Sequence, residues 1–546
     1  MFSKIRELGH GSFSKVYLCD DEINREPIAI KRTFKYETVD GPGGSTLIEV
    51  DGLALMRKHP FAISAKTICR GPIFMPGMQS PIDRKFHPSQ RDDVFSPILE
   101  VAEGDLKHYI YEVPDRDFSQ IQRFMAQILL VIEFMHENHI MHRDIKTQNI
   151  LHFASKQDPF GQHGFISICD FGMMKYAHPN SENSPRLMTS WFRAPEMALL
   201  CRDYDCKIDV WSIGCVFYEM IGQKYFISGI DDDDNLIVNT ILGSLPYQIT
   251  RETAKKMFPS DFKYSSIARP PRRLSFPDQL QLSVETIHKI ETQIGPGKYH
   301  QYCDLLLKML QFDPALRFST SECLSHSFFD NLAPYIMAVR QNVKLSYHHH
   351  HYLNDRQMLT VPIIERKWML EIAESIYQSS PGLRWYSSRI LFTAIDIFER
   401  YLYYEFSGRG LSLSNRSRET DIHGLVLSKL DVQIFFFATI YMTIKFYTSS
   451  RGLITWKETV GPALQPDDIE SRALKFESDL LSKHLMYVIY RRNLYEYYPP
   501  GTDRVPHSAQ DIRNILDFLH CHDDYYGEYL SSLYYRYQNF IKRKTR

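Results

Sequence analysis

The sequence predicts an α+β region built in two parts and followed by an all-α region, and three observations predict it. Residues 1–100 carry strand-like runs, such as Val16-Tyr17-Leu18-Cys19 and Ile28-Ala29-Ile30, with one helical stretch around 47–58. Residues 105–330 read mainly helical, with turn residues between the pieces. From Pro362 to about Arg492 the chain reads as long apolar helices with few glycines. The resulting segments are 1–103, 104–335, a linker at 336–361, a helical domain at 362–490 and a helical extension at 491–546. The linker is placed where QNVKLSYHHHHYLNDRQMLT, 341–360, loses apolar periodicity. The extension opens on Tyr497-Tyr498-Pro499-Pro500-Gly501, continues in Tyr-rich helical patterns and ends on the basic run KRKTR.

Bulk composition bounds the function. A chain of 546 residues is too long for one hydrophobic core. Its 44% hydrophobic and 24% charged residues are ordinary for folded protein, and a net charge of −1 argues against general nucleic-acid binding. Nine cysteines without a CxxC pair suggest neither a zinc site nor a disulfide framework, which fits an intracellular protein, in cytoplasm or nucleus. The start MFSKIRELGHGSF lacks the apolar run of a signal peptide. The most apolar stretch, 434–444, is shorter than the ~20 residues needed to span a bilayer and is expected to be a buried helix. No membrane partner is expected. Four histidines, His348 to His351, have no Cys or acidic partner nearby to finish a metal site and are read as plain linker. KRKTR fits a solvated tail or a nuclear address.

The chemistry-bearing residues fall in one order. Gly9-His10-Gly11-Ser12-Phe13-Ser14-Lys15-Val16 lies between two strand-like runs, where glycines let a backbone close over phosphates; alone, it fits a tight turn as well. Ala29-Ile30-Lys31 follows. A lysine ending a buried strand is costly unless it meets anions, such as the α- and β-phosphates of a nucleotide, and Glu49 is its candidate helical partner. His142-Arg143-Asp144-Ile145-Lys146-Thr147-Gln148-Asn149 is the most specific signal, followed by Asp170-Phe171-Gly172 and Ala194-Pro195-Glu196. Phosphoryl transfer needs held phosphates, neutralised charge and an oriented hydroxyl, and this ordered set supplies each.

The set resembles that of protein kinases, which implies a bilobal protein kinase fold using ATP and magnesium. In that resemblance Asp144 orients the substrate hydroxyl and accepts its proton, and Lys146 neutralises the γ-phosphate, as in serine/threonine kinases. Asn149 and Asp170 hold magnesium, and Lys31 with Glu49 holds the α- and β-phosphates. The implied nucleotide site is Leu8, Gly9, His10, Gly11, Ser12, Phe13, Ser14, Lys15, Val16, Ala29, Lys31, Glu100, Ala102, Asp105 and Leu151. Within that family, residues 1–330 are most similar to the cyclin-dependent group. Ser190-Trp191-Phe192-Arg193-Ala194-Pro195-Glu196, Asp209-Val210-Trp211-Ser212-Ile213-Gly214-Cys215, the insert 234–246 and Asp313-Pro314 with Arg317 carry the likeness. It implies protein substrates with Ser/Thr-Pro sites. The activation segment holds Ser184 at the phosphosite position, then Thr189, Arg193 and Glu196. The clamp for that phosphate departs from the family: its counterparts are Ile48, Arg143 and Lys175, with isoleucine where an arginine is usual. Weak dependence on Ser184 phosphorylation is therefore expected. Phe13 stands where the family has a tyrosine that inhibitory kinases modify.

The second half resembles a single cyclin box at 362–490. Trp368-Met369-Leu370-Glu371-Ile372, Phe398 to Leu402, Lys445-Phe446 and Glu477 carry that likeness, with Trp368, Glu371, Lys445 and Glu477 as core residues. It departs at Pro362 and Glu365, where the family has an arginine and a docking leucine. The likeness implies a kinase carrying its own activator as an intramolecular partner, an autonomy that would suit a parasite or a large virus, in whose case the location is the host cell. A flexible linker of twenty residues would reach ~22–27 Å. The alternatives are a pseudokinase scaffold that recruits partners, or a kinase joined to an unrelated helical interaction module.

Overall fold

The computed structural model describes residues 2–10, 14–21, 25–33, 44–70, 95–176, 190–201, 204–228, 234–247, 249, 253, 257 and 274–351. In the last third it describes 421–422, 425–426, 434, 438–440 and 442–443. The chain divides into two compact units, one comprising 1–55, 65–100 and 350–546, the other 56–64 and 101–349.

The first unit holds a five-stranded antiparallel sheet of order β1-β2-β3-β5-β4, from β1 (Phe2–His10), β2 (Ser14–Asp21), β3 (Glu26–Thr33), β4 (Ala65–Arg70) and β5 (Phe95–Leu99). Tyr17, Cys19, Ile28, Ile30 and Ile98 form a core on it; in β2 the buried positions alternate as a half-buried strand requires, whereas Ile28, Ala29 and Ile30 of β3 are buried in succession. One helix, α1 (Gly44–Met56), carries the expected helical stretch, with Leu47, Val50 and Leu53 buried.

The second unit is built on two buried helices. In α3 (Phe118–Glu137), Asp117 caps the first turn by accepting from the Ser119 backbone N–H at 2.9 Å. Almost every residue of α3 from Phe118 to Met135 is buried. α5 (Lys207–Gly222) is mostly apolar and is buried from Ile208 to Ile221, its Asp209, Ser212 and Glu219 included. It packs so closely that a Cβ added at Gly214 would lie 2.8 Å from Leu310 Cδ2. Around this pair lie α2 (Leu106–Glu112), α4 (Pro195–Ala198), α6 (Asp234–Ser244) and the helices Val284–Ile294 and Lys298–Met309.

The sequence pattern understated the strands of this unit. A three-stranded sheet of order β6-β8-β9 joins β6 (Gly104–Asp105), β8 (Ile150–Gln157) and β9 (His163–Ile168), and β7 (Ile140–Met141) pairs with β10 (Lys175–Tyr176). Most are too short to raise a period-two signal.

A second difference concerns the expected linker at 336–361. Residues Ala333–His351 form one helix, here the tail helix, so 336–351 are helical; the rest of that segment lies outside the described residues. Ile336, Val339 and Val343 are buried at helical spacing, and the histidine run hid this pattern by following it without an apolar residue. In the last third, Ile434, Ala438, Ile440 and Met442 are buried and helical, which agrees with the buried helix expected there; 435–437, 441 and 444 lie outside the described residues. A two-residue strand pair, Asp421–Ile422 with Leu425–Val426, interrupts the all-α expectation for 362–490. Among the described residues no helix is long and apolar enough to cross a membrane.

Candidate active site

Lys31 sits in β3, paired in register with Val16 of β2 and two residues beyond Ala29, which pairs with Leu99. Its ammonium lies 2.9 Å from Glu49 Oε1 on α1, and both side chains are largely buried, at 12% and 6% exposure. Two opposite charges out of water at this distance stabilise each other, where either alone would be costly. The expected Lys31–Glu49 pair is therefore formed. β1 and β2 run in register through Gly9 with Val16 and His10 with Lys15, and Leu8 is exposed. Ser14 opens β2; Gly11, Ser12 and Phe13 lie outside the described residues. Glu100 follows β5 directly.

The second group lies on the loop after β7. Lys146 Nζ lies 2.7 Å from Asp144 Oδ2. The Asn149 amide nitrogen donates both to the Asp144 carbonyl at 2.8 Å and to Asp144 Oδ2 at 2.9 Å. Asp144 is thus oriented from both sides. Its loop is pinned from below by a residue that the motif reading leaves without a role. Asp209, fully buried in the first turn of α5, accepts from the backbone N–H of His142 at 2.8 Å, from that of Arg143 at 2.9 Å and from His136 Nε2 at 3.0 Å. Burial alone would push the Asp209 carboxyl up; the hydrogen bonds from His136 and from the loop backbone hold it below its ordinary value. A carboxylate inside the apolar run IDVWSIGCVF signals such a partner set in advance.

His142 is a spacer of fixed tautomer. Nε2 faces the Cys169 carbonyl at 3.3 Å and so donates, while Nδ1 accepts from the Asp144 N–H at 3.3 Å. Burial lowers its pKa, which keeps the ring neutral. It thereby ties Asp144 to the residue preceding Asp170. Asp170 takes a left-handed backbone, φ 66°, and Arg143 does likewise at φ 67°. The Arg143 guanidinium donates to the Met173 carbonyl at 2.7 Å and to the Tyr204 hydroxyl at 3.4 Å.

Beneath the loop, the Thr147 hydroxyl donates to Glu219 of α5 at 3.3 Å. Burial raises the Glu219 carboxyl to about 7, against the lowering effect of hydrogen bonds from Tyr111 and Thr147. The members of this cluster are too far apart in sequence for spacing to signal it. Asp105 caps α2 by accepting from the His108 N–H at 2.8 Å and pairs in register with Leu151. Ala102 is half-buried in the segment before β6. Glu196 makes a bidentate ion pair with fully buried Arg317, at 2.8 and 3.1 Å, and Arg193 is buried nearby in sequence. Ser184, Thr189, Trp368, Glu371, Lys445 and Glu477 lie outside the described residues.

Residues 2–329 match the family model described as protein kinase domain. Among curated proteins, the chain is 27% identical over 333 residues to cyclin-dependent kinase G-2 of Oryza sativa subsp. indica, covering 60% of this chain and 41% of that protein. It is 25% identical over 331 residues to cyclin-dependent kinase 11A of Homo sapiens, covering 60% of this chain and 36% of that one. The chain thus spans about two fifths of the length of the curated relatives it matches. Among solved structures, a chain of the CAK complex from Chaetomium thermophilum bound to ATP-gamma-S is 24% identical, with a TM-score of 0.46, over 60% of this chain and 90% of that one.

Proposed function

This chain belongs to the protein kinase family, and we propose that it transfers the γ-phosphate of ATP to serine or threonine hydroxyls followed by proline in protein substrates. The observation that carries the reading is Asp144 held between Lys146 and Asn149 on a loop pinned by Asp209. Asp144 orients the substrate hydroxyl. As that oxygen bonds to the γ-phosphorus, its proton passes to Asp144, the bond from phosphorus to the bridging oxygen breaks, and ADP leaves. Lys146 places positive charge beside the transferring group, where charge develops. Lys31, held by Glu49, grips the α- and β-phosphates. Asp105, Glu100, Ala102 and Leu151 are assigned to the nucleoside, with residues 8–16 over the phosphates.

The residues present fit magnesium. Asn149 uses its amide nitrogen on Asp144, so its oxygen is the atom left for a cation, and Asp170 adds a carboxylate. Two hard oxygen ligands, with phosphate and water oxygens, are what this ion takes. Magnesium, when bound, neutralises phosphate charge.

Two finer points complete the reading. Arg193 and the likeness to cyclin-dependent kinases support the preference for proline. The cyclin-box resemblance of 362–490, with the buried helical residues between 434 and 443, supports activation by the chain's own C-terminal part. The test is transfer from labelled ATP to a Ser-Pro peptide by the full chain. Asp144→Asn should lower kcat at least a thousandfold while ATP still binds. Equal rates on Ser-Pro and Ser-Ala peptides would remove the proline preference. Lys445→Glu should lower activity about tenfold if the C-terminal part activates as a cyclin does; no change would leave an unrelated helical module. No transfer by the wild-type chain with magnesium and ATP would favour a scaffold. A shortened chain should end at 351 rather than 340, because the latter cuts the tail helix.

A further inference from the structure

The tail helix is seated by specific bonds. Its Arg340 donates to Glu133 of α3 through two nitrogens, at 2.7 and 2.5 Å, and Glu133 is buried. Tyr335 accepts from Gln127 at 2.7 Å and donates to Asp158 at 2.7 Å. Such a seat exceeds what a spacer between domains requires.

What the helix touches next is the segment 56–64, which follows α1 without a break. Lys58 Nζ donates to the Ser346 carbonyl at 3.0 Å, and the Tyr335 ring lies 6.4 Å from the ring of fully buried Phe61. The same segment is stitched to β9. The Ile63 N–H donates to the Ile168 carbonyl and the Ile168 N–H to the Phe61 carbonyl, both at 2.9 Å. Ile168 stands two residues before Asp170, and Met56 closes the helix that carries Glu49. One short segment therefore continues the chain from α1, is bonded to the strand that leads to Asp170, and meets the tail helix at Lys58 and Phe61.

We infer that the tail helix is a positioning element for phosphoryl transfer, acting through Arg340, Tyr335 and Lys58 on the segment 56–64 and so on both Glu49 and Asp170. The inference rests on the kinase reading of those two residues. None of the three touches substrate. Their effect falls on kcat, because a displacement of about 1 Å in a reacting group can cost up to ~10²-fold in rate.

The experiment uses the full chain with Arg340→Gln, Arg340→Lys and Tyr335→Phe, below the unfolding temperature. Hydrogen exchange and steady-state kinetics are read together. Arg340→Gln should speed exchange at least tenfold in 333–351 and in 50–58, and leave α5 unchanged. It should lower kcat about tenfold with KM for ATP within about twofold, and Arg340→Lys should restore at least half of kcat. If Arg340→Gln loosens 333–351 but leaves exchange at 50–58 and kcat as in the wild type, the inference falls. It falls equally if 333–351 is not loosened at all. Should Arg340→Gln fail to fold, Tyr335→Phe, which removes one hydroxyl, is judged by the same readouts. A wild-type chain without transfer activity would refute the kinase reading instead, and exchange at 50–58 would still decide the coupling.

Discussion

Glu219→Gln tests the electrostatics beneath the catalytic loop. The carboxyl is fully buried in α5, meets Thr147 and Tyr111, and is raised from 4.5 to about 7. In the folded chain it therefore holds its proton more tightly than in the unfolded chain. The resulting stability is complete below about pH 4.5 and is lost as pH rises through about 7. The difference is worth about 3 kcal/mol at ~1.4 kcal/mol per pKa unit. For a unit of this size that is about 6–12 °C in Tm. Glutamine keeps an acceptor for the Thr147 hydroxyl and has no proton to lose. Thermal unfolding by calorimetry at intervals from pH 5 to pH 8, wild type against Glu219→Gln, isolates the group, because every other titration is common to both. The two Tm curves should converge at pH 5 and separate toward pH 8, with the variant higher. Parallel curves would refute the reasoning.

Other predictions concern different parts of the fold. His59 is buried against Phe134, and burial lowers its pKa to about 3. Its contribution is present above pH 6.5 and lost as pH falls toward about 3, so His59→Gln should flatten acid unfolding over that window, read by far-UV circular dichroism. Glu196→Gln removes the carboxylate that balances the buried Arg317 charge, leaving it neutral acceptors (the glutamine oxygen and the Lys207 and Gln311 carbonyls) and the Trp211 face, and should cost about 3–5 kcal/mol in denaturant unfolding. Ser184→Ala should keep at least half of the peptide-transfer rate, since Arg143 is already bound to Met173 and Tyr204 and Ile48 brings no charge; a loss beyond tenfold would show that this phosphosite governs the enzyme.

The parts of the site that were legible in the sequence are those where chemistry dictates residue type at close spacing. Asp144, Lys146 and Asn149 occupy one loop, so their order in the chain is already their order in space. Lys31 and Glu49 were legible as a pair because a buried lysine demands an acid. The supports were harder to read. Asp209 serves residues 66 and 67 positions earlier, and Glu219 serves Thr147 across 72; such pairings exist only once α5 is inside the second unit. The tail helix was concealed by its polar end. Ile336, Val339 and Val343 carry its spacing, but the pattern stops at the histidines, and the Arg340–Glu133 pair, 207 positions apart, is invisible to periodicity.

The left-handed backbones of Arg143 and Asp170 have a bearing on how this protein could be altered by selection. A non-glycine residue held there costs of order 1–3 kcal/mol, which glycine would not pay. A laboratory screen for heat resistance alone would therefore be drawn to Asp170→Gly, whereas Arg143→Gly also forfeits the bonds to Met173 and Tyr204 that offset the same strain. Asp170→Gly would discard the carboxylate assigned to magnesium. At Asp170 robustness and turnover pull in opposite directions, and any library meant to improve the first must be sorted on the second.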